Sequence, residues 1–501
     1  MSSYILSIDQ GTTGTTAILW DKESRSIARV NYEHKQYYPR PGWVEHDAAE
    51  IWKNVQFSAE SVLKNAGITA DEIAAVGITN QRETLVFWDR RTGEPVSRAI
   101  VWQCRRTADL CARLKEDGLE AMVRSKTGLL LDPYFSGTKL RWALENEPQV
   151  ARAAREGNLA CGTIDSYLLF RMTGGAVFAT DYSNASRTLL YNINELKWDD
   201  DLLKLFSVSA AILPEVKASS TIFGETEPAS FLNRRIPVGG IAGDQQSALF
   251  GQACYKPGMT KNTYGTGSFL LMNTGEKPVH SSKGLLTTIA WGLGEKVEYA
   301  LEGSIFITGA AVQWLRDGLG LIGKSSELEL LAAQAEDNGG VYLVPAFAGL
   351  GAPHWDPYAR GLLIGITGGT SKAHLARAVI EAMAYQTRDV LDLMYREAGL
   401  PILELRVDGG ASVMDLLLQF QADVTGTTVR RAATFDTTAL GAAYLAGLAC
   451  GFWESLDDLA SRWRESAVFK PEMNIDTRAK LCAGWDKAVK RSLKWADPDE
   501  Q

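Results

Sequence analysis

Cysteine and histidine are scarce in this sequence of 501 residues, which contains six cysteines and five histidines. No two cysteines form a Cys-x-x-Cys pair, and their spacing is too wide for a disulfide framework. Free thiols in a reducing compartment are therefore expected. The histidines show no spacing that is typical of metal ligands. The sequence argues against both a disulfide-stapled secreted domain and a zinc site.

Excess positive charge and long hydrophobic runs are also missing. The formal net charge of −8 argues against a nucleic-acid partner. No basic segment precedes the first apolar run at Tyr4, so no signal peptide is predicted. The best candidate for a membrane span, Thr437–Trp453, lacks charges but is short and rich in alanine, which favours a buried helix. We expect a cytoplasmic protein with no integral membrane segment.

The length is the first positive indication, because 501 residues are too many for one hydrophobic core. An apolar strand ends at Ala242, and a predicted helix follows it over Ser247–Ala253. We place a domain boundary just after that helix. This predicts an N-terminal domain of residues 1–254 and a C-terminal domain of residues 255–501.

The segment Asp9–Thr16 is a glycine- and threonine-rich turn between two short apolar strands. Glycine lets the backbone approach a ligand closely, and the freed N–H groups and threonine hydroxyls suit a phosphate. Asp9, at the end of the first strand, would belong among phosphate donors if Mg²⁺ lay between them. An ordinary tight hairpin explains the same turn equally well.

A similar turn opens the second half of the chain. Lys261–Ser268 again places glycines and threonines between two strand-like runs. The return of the pattern suggests an internal duplication, with two phosphate-binding turns facing one cleft.

Two polar segments interrupt apolar strands and are candidates for a substrate site. Asp244 follows a strand and precedes a helix, where a carboxylate faces the ligand crevice of an open α/β sheet. It could accept a proton from a substrate hydroxyl, or simply cap the helix. Arg82 and Glu83, in Asn80–Glu83, offer donors and acceptors for neighbouring hydroxyls, although a surface ion pair is the simpler alternative. Trp102 could supply an apolar wall, or pack in the core.

The spacing of Ala310, Ala311, Trp314 and Leu315 predicts a largely helical segment over Glu302–Leu319.

Together these segments resemble the sugar and polyol kinase family of the actin–hexokinase–Hsp70 superfold. The resemblance covers essentially the whole chain. It is carried by eight segments in the family's order: Asp9–Thr13, Thr79–Thr84, Trp102-Gln103, Pro133–Ser136, Gly243–Gln246, Thr263–Gly267, Gly309–Asp317 and Asp408–Gly410.

The resemblance implies an α/β fold of two ribonuclease-H-like domains, as in actin-like ATPases, with ATP and the substrate in a central cleft. Asn80–Glu83 with Trp102 narrows the substrate to glycerol, so the implied reaction is its phosphorylation by ATP to sn-glycerol 3-phosphate in glycerol catabolism. The implied glycerol-binding residues are Arg82, Glu83, Trp102, Tyr134, Asp244, Gln245 and Phe269. The implied nucleotide-binding residues are Thr12, Thr13, Thr266, Gly309, Gln313, Gly410 and Met414. Asp244 would be the general base, and Asp9 and Asp244 would lie near Mg²⁺.

The sequence departs from the family pattern at two places. Met414 stands where relatives usually carry asparagine beside the adenine. The loop at 229–235 keeps Arg235 but lacks the glycines with which enterobacterial relatives bind fructose 1,6-bisphosphate, which argues against that inhibition. No histidine occurs between Lys217 and Arg235, so activation by phosphorylation of a loop histidine is not expected either.

Three alternatives remain at this point. The first is a kinase for a related polyol or ketose. The second is a nucleotide-dependent clamp of the actin or Hsp70 type, for which Asn80–Glu83 would have no role. The third is a catalytically silent regulator, against which the retained Asp9 and Asp244 argue. Relatives are commonly dimers or tetramers, so a homodimer or homotetramer is expected.

Overall fold

The computed structural model describes residues 3–496. The strands are β1 (Tyr4–Gln10), β2 (Gly14–Trp20), β3 (Ser26–Glu33), β4 (Glu45–His46), β5 (Ile73–Asn80), β6 (Leu85–Asp89), β7 (Ala99–Ile100), β8 (Leu159–Thr163), β9 (Ala179–Asp181), β10 (Tyr191–Asn192), β11 (Lys197–Trp198), β12 (Glu215–Lys217), β13 (Ser220–Glu225), β14 (Pro237–Gly243), β15 (Met259–Tyr264), β16 (Ser268–Gly275), β17 (Leu286–Leu293), β18 (Lys296–Ile305), β19 (Tyr342–Val344), β20 (Leu362–Ile364), β21 (Glu404–Gly409), β22 (Val429–Ala432) and β23 (Glu465–Phe469).

The α-helices are α1 (Ala48–Ala66), α2 (Ala108–Glu116), α3 (Glu120–Thr127), α4 (Ser136–Asn146), α5 (Pro148–Arg155), α6 (Ile164–Met172), α7 (Tyr182–Ala185), α8 (Asp200–Leu205), α9 (Asp244–Gly251), α10 (Gly309–Gln313), α11 (Glu327–Ala332), α12 (Lys372–Ala398), α13 (Asp415–Thr425), α14 (Thr437–Ala449), α15 (Leu456–Arg462) and α16 (Ile475–Ser492). Within the described range, no helix combines the length and apolar character that crossing a bilayer requires. The six cysteines are unpaired, as expected.

The strand order shows that the two halves of the chain repeat one topology. Across the large sheet the first half reads β3-β2-β1-β5-β14, and the second half reads β18-β16-β15-β21-β22. In each half a hairpin is extended by a third antiparallel strand on one side and by two parallel strands on the other. The internal duplication inferred from the two glycine- and threonine-rich turns is therefore present in the fold. The predicted boundary at residue 254 falls between α9 and β15, and it stays a prediction.

Helix α14 connects the halves. It comes late in the chain, yet it packs on β5, β14 and α9 of the first half. Glycines allow this contact, because a Cβ on Gly77 would lie 2.2 Å from the carbonyl oxygen of Ala442, and one on Gly441 would lie 1.8 Å from that of Ser247. The segment Thr437–Trp453 is thus a buried helix and its continuation, as the sequence predicted.

The predicted helix over Glu302–Leu319 is wrong in its first part. Strand β18 continues to Ile305, and the helix α10 begins only at Gly309. The helical spacing holds from Ala310 to Leu315 only. The residues up to Ile305 pair instead with the neighbouring strands β16 and β17. Glu302 therefore lies in the sheet and not on a helix.

The start of α9 also differs from expectation. The helix begins at Asp244 rather than at Ser247, and Gly243 is its N-cap residue. Asp244 is therefore not the capping residue that the simpler interpretation proposed, and its carboxylate lies in the first turn.

Replacing Gly77 by alanine should destabilise the protein, because the new methyl group would meet the backbone of α14 rather than a movable side chain. We expect the free energy of unfolding to fall by about 3 kcal/mol, measured by urea denaturation followed by circular dichroism. Gly368→Ala is the matched control, since nothing lies within 4 Å of a Cβ placed there. Equal stability of the two variants would contradict the tight packing of α14.

Candidate active site

The first phosphate-binding candidate is the turn between β1 and β2. The N–H of Gly11 donates to the carbonyl oxygen of Gly14 at 2.9 Å, which closes the turn. Thr12 is half-buried and Thr13 is exposed at the tip. A Cβ on Gly14 would lie 2.8 Å from the carbonyl oxygen of Tyr32, so the packing of β3 requires glycine there. The turn therefore holds its backbone close to the sheet while its two threonines face outward.

The second turn, between β15 and β16, has the same construction. The N–H of Gly265 donates to the carbonyl oxygen of Gly267 at 2.8 Å, and Thr266 is exposed at the tip. The start of α10 is fixed against it, because the N–H of Gly309 donates to Gly265 at 3.1 Å. A side chain on Gly309 would collide with that carbonyl at 2.5 Å. The structure thus brings Thr266 and Gly309, which the resemblance assigned to the nucleotide, into direct contact.

Asp9 lies near the end of β1, and Asp244 directly follows β14. In the sheet, β1 and β14 lie on either side of β5, and all three are parallel. Such strand ends form the ligand crevice of an open α/β sheet. Burial, together with the charges of Asp244 and Asp436, raises the pKa of Asp9 to about 7. The two predicted metal-binding carboxylates therefore share one region of negative potential.

The carboxylates of Asp9 and Asp244 fit Mg²⁺ when water and substrate phosphates supply the other ligands. Mg²⁺ in phosphoryl-transfer sites uses one or two carboxylates together with water and substrate phosphates. A cation beside Asp9 and Asp244 would offset the repulsion that raises the pKa of Asp9. Within residues 3–496, no group of three or more acidic, histidine or cysteine side chains could hold a metal ion alone. The protein would therefore rely on the phosphates to complete the coordination.

Arg82 and Glu83 occupy the turn between β5 and β6, and both side chains are buried, at 2 % and 1 % exposure. Arg82 Nε lies 3.2 Å from Asp244 Oδ1, and Arg82 Nη2 donates to the hydroxyl of Tyr134 at 3.2 Å. Glu83 has a positive φ of 60°, a strained conformation for a residue with a side chain. The interpretation of this pair as a surface ion pair is wrong, because both charges lie inside the protein.

Two further charged residues, Arg187 and Glu302, complete this cluster, and the sequence analysis did not single them out. Glu302 on β18 accepts from Arg82 Nη1 at 2.5 Å and from Arg187 Nη2 at 2.9 Å. Arg187, which follows α7, also donates from Nε to Glu83 Oε1 at 2.7 Å. Arg82, Glu83, Arg187 and Glu302, hereafter the buried charge cluster, combine two positive and two negative side chains with no more than 2 % exposure each.

The electrostatics of the cluster favour ionised partners. Burial alone would raise the pKa of Glu302, but the charges of Arg187 and Arg82 outweigh it and lower that pKa to about 2. Burial raises the pKa of Glu83 and is only partly offset by the two arginines. The signal that could have revealed Glu302 is its position directly after the apolar run Tyr299–Leu301, although Glu298 in the same strand carries the same charge at a half-buried position.

Aromatic side chains flank the cluster. The rings of Trp102 and Tyr134 meet edge to face, with centroids 5.5 Å apart. Trp102 Nε1 also donates to Thr12 Oγ1 at 2.9 Å, which links the predicted substrate wall to the first turn. Phe269 on β16 lies opposite Ser304 of β18, half-buried and on the same sheet face as Glu302. These three aromatic residues are thus near the charges without being fully enclosed.

The remaining nucleotide candidates lie beside the second turn. Gly409 pairs with Tyr264 at the end of β15, and its φ of 87° with a carbonyl 2.4 Å from a would-be Cβ requires glycine. The adjacent Gly410 is exposed, and so is Gln313 on α10. Met414 is 7 % exposed and packs in the core of the second half, so its side chain is largely withdrawn from the surface. Its contact with the adenine stays a prediction.

Asp244 differs from its charged neighbours in being accessible. Its side chain is 31 % exposed, against 2 % or less in the buried charge cluster. The neighbouring Gln245 accepts a hydrogen bond from Lys261 of β15. The arrangement combines fixed donors, one accessible carboxylate and two phosphate-type turns, which is the equipment for moving a phosphoryl group to a hydroxyl.

Comparisons with known proteins agree on the family. Residues 4–251 match the N-terminal domain, and residues 260–450 the C-terminal domain, of the FGGY family of carbohydrate kinases. Glycerol kinase 2 of Thermotoga maritima is 56 % identical over 492 residues, covering 98 % of this chain and 99 % of its own length. Glycerol kinase of Carboxydothermus hydrogenoformans is also 56 % identical, with 98 % of both chains covered. The crystal structure of Plasmodium falciparum glycerol kinase with ADP superposes with a TM-score of 0.92 at 39 % identity, covering 98 % of each chain.

Removing one member of the buried charge cluster should be strongly destabilising. Arg187→Met would leave Glu83 and Glu302 with a single arginine, and an unpaired buried charge costs about 3–5 kcal/mol. Urea denaturation measures the loss, with the exposed Arg113→Met as the surface control. Arg187→Met combined with Glu302→Gln removes one charge of each sign, so we expect it to cost less than the two single changes added together. Strict additivity would mean that the two side chains do not interact.

Proposed function

Because the chain belongs to the FGGY family of carbohydrate kinases, we propose that it transfers the γ-phosphoryl group of ATP to one terminal hydroxyl of glycerol. The products are sn-glycerol 3-phosphate and ADP. The contact between Arg82 and Asp244, which is 3.2 Å long, is the observation that carries this proposal. It supports the proposal because the residue predicted as the base contacts a residue predicted to bind the substrate. Use of Mg²⁺, a cytoplasmic location and a homodimeric or homotetrameric assembly belong to the same proposal.

Glycerol would bind by replacing part of the existing hydrogen bonds of Arg82, because the N–H groups of Arg82 already have partners. The N–H groups of Arg82 already face Asp244, Glu302, Gln246 and Tyr134. A glycerol hydroxyl would therefore enter beside Asp244 and Tyr134 and take over part of their interaction with Arg82. Glu83, fixed by Arg187, would accept from a neighbouring hydroxyl. Trp102 and Phe269 would pack against the carbon atoms.

The buried charge cluster explains why this site would be rigid. Two carboxylates and two guanidinium groups with no more than 2 % exposure fix one another, so Arg82 and Glu83 would be held in position before a substrate binds. Preorganised dipoles of this kind are usually the largest contribution to catalysis. Positioning is the other, since phosphoryl transfer demands little covalent chemistry from the protein.

In the proposed step, Asp244 accepts the proton of the terminal hydroxyl as that oxygen bonds to the γ-phosphorus. The bond from phosphorus to the bridging oxygen breaks, and ADP leaves. Thr12 and Thr13 on one side, and Thr266 with Gly309 on the other, would bind the phosphates. Asp9 and Asp244 would hold Mg²⁺, which neutralises charge on the phosphates when it is bound. Gln313, Gly410 and Met414 would line the nucleotide side.

Asp244→Asn tests the assignment of the base. The amide keeps an oxygen that can accept from Arg82, so glycerol binding measured by calorimetry should persist. It cannot take a proton, so kcat should fall by about 10²–10⁴-fold. Asp109→Asn, at an exposed position on α2, should change neither quantity. A kcat near that of the unchanged protein would remove Asp244 from the role of base.

The choice of acceptor is tested by ADP release from Mg·ATP with glycerol, erythritol or xylulose. We expect strong stimulation by glycerol and little by the larger molecules, because the anchors and aromatic residues enclose a short carbon chain. Greater stimulation by erythritol or xylulose would identify a kinase for a related polyol or ketose. Slow release that no polyol changes would contradict the proposed function and favour a nucleotide-dependent clamp.

A further inference from the structure

Lys261 is a buried lysine without a carboxylate partner. It lies on β15 with 0 % exposure, and no acidic side chain among residues 3–496 comes within ion-pairing distance of 4.0 Å of its ammonium group. Burying an unpaired charge is costly, so such a lysine is retained only where its charge or its hydrogen bonds are needed. The mechanism described above gives it no role.

The hydrogen bonds of Lys261 lead into the candidate active site. Its Nζ donates to Gln245 Oε1 at 2.5 Å and to Thr263 Oγ1 at 3.1 Å. Gln245 follows Asp244 directly, and Thr263 lies just before the second threonine turn. The ammonium group therefore contacts the residue that follows the predicted base and a residue of the strand that leads into the second turn. Two of its three N–H donors are used in this way.

The pairing of the strands also indicates that Lys261 lies on the side of the sheet that carries the candidate active site. Lys261 pairs with Leu271, which in turn pairs with Glu302, while Thr263 pairs with Phe269. Directly opposed residues of antiparallel strands share one face. Lys261 thus shares a sheet face with Glu302 and Phe269, and that face is turned towards the start of α9.

The charges around Lys261 come from several elements. Burial lowers its pKa to about 8, although Asp408 on β21 and Asp244 on α9 act in the opposite direction. Arg82 opposes the ammonium charge, and Glu302 on β18 favours it. Asp408 Oδ1 is itself buried without a hydrogen-bond donor. Lys261 is therefore a cation with no carboxylate within 4.0 Å, so no ion pair neutralises its charge.

We propose that Lys261 is a positioning residue for phosphoryl transfer, which holds Gln245 beside Asp244 and supplies positive charge where the phosphoryl group passes to the acceptor. This inference rests on the proposed function. As the hydroxyl oxygen bonds to phosphorus and the bridging oxygen departs with ADP, the hydroxyl proton goes to Asp244. Lys261 keeps its protons throughout and compensates the negative charge that accumulates between Asp244 and the phosphates.

A second buried lysine shows what a purely structural role looks like. Lys139 on α4 is also fully buried, and burial lowers its pKa to about 8. Its Nζ donates to the backbone carbonyl oxygens of Tyr134 and Phe135, which anchors the loop before the helix. Lys261 instead donates to two side chains that point towards substrate-binding elements, so its hydrogen bonds do not serve to satisfy backbone groups.

The experiment compares the unchanged protein with Lys261→Met, Lys261→Ala and the control Lys126→Met. Lys126 is paired with Asp199 and Asp201 away from the site, so its loss should leave turnover intact. We expect Lys261→Met to lower kcat by about 10²–10³-fold, the cost of removing one preorganised donor. The KM values for ATP and glycerol should change far less. Added ethylammonium should restore part of the turnover of Lys261→Ala and should have no effect on Lys126→Met.

A binding measurement separates this inference from the proposed function. ADP with aluminium fluoride, a mimic of the transferring phosphoryl group, should bind tightly in the presence of glycerol and lose that affinity in Lys261→Met. Binding of ADP alone should be unchanged. If the unchanged protein shows no stimulation by glycerol, the proposed function fails; if it is stimulated but Lys261→Met keeps its kcat, only the role of Lys261 fails.

A loss of activity without amine rescue, accompanied by a lower melting temperature and weaker binding of ADP alone, would also overturn the proposal, because it would indicate a structural role. If neither Lys261 variant folds, Gln245→Glu provides the test. The new carboxylate would pair with the ammonium group, so we expect a higher melting temperature together with weaker binding of ADP–aluminium fluoride. Unchanged binding of the mimic in that variant would contradict a role for the charge of Lys261.

Discussion

The pairing of buried charges around Glu302 is the constraint on which the rest of the candidate site depends. A carboxylate in a strand with no exposure is tolerable only if its partners are fixed. Arg82 comes from the turn between β5 and β6, Arg187 from the segment after α7, and Glu302 from the second half of the chain. These three elements must therefore meet in one arrangement, and that arrangement presents Arg82 and Glu83 to a substrate.

The repeated topology explains why the chemistry collects at one place. Within each half, the parallel strands run in one direction, so their carboxyl ends lie at one edge of the sheet. The first hairpin of each half is closed by a glycine- and threonine-rich turn. The two copies together supply two phosphate-type turns, whereas either half alone would supply one. The halves differ in the buried charges that they contribute. Three members of the cluster come from the first half, and Glu302 comes from the second.

The sequence predicted the parts of this site that depend on local pattern. Turns rich in glycine are visible as turns, and the polar run Asn80–Glu83 is conspicuous between apolar strands. Arg187 and Glu302 were not predicted because nothing in the local sequence marks them. Strand β18 also carries Lys296 and Glu298, and only the fold shows that Arg187 and Glu302 meet. The helix predicted over Glu302–Leu319 failed for a related reason, since the pairing of β18 with β16 and β17 overrides local periodicity.

The acidic side chains of the candidate site differ in exposure, and this difference agrees with the different roles proposed for them. Glu83 and Glu302 are 1 % and 0 % exposed, and each accepts a hydrogen bond from Arg187. Asp244 Oδ1 lies 3.2 Å from Arg82 Nε and accepts from the N–H of Gln245 at 2.7 Å, and 31 % of the side chain stays accessible. A group that must take a proton from an incoming hydroxyl needs both access and an unsatisfied lone pair. Only a carboxylate that the cluster orients without enclosing meets both conditions, and among the acidic residues that contact Arg82 this is Asp244.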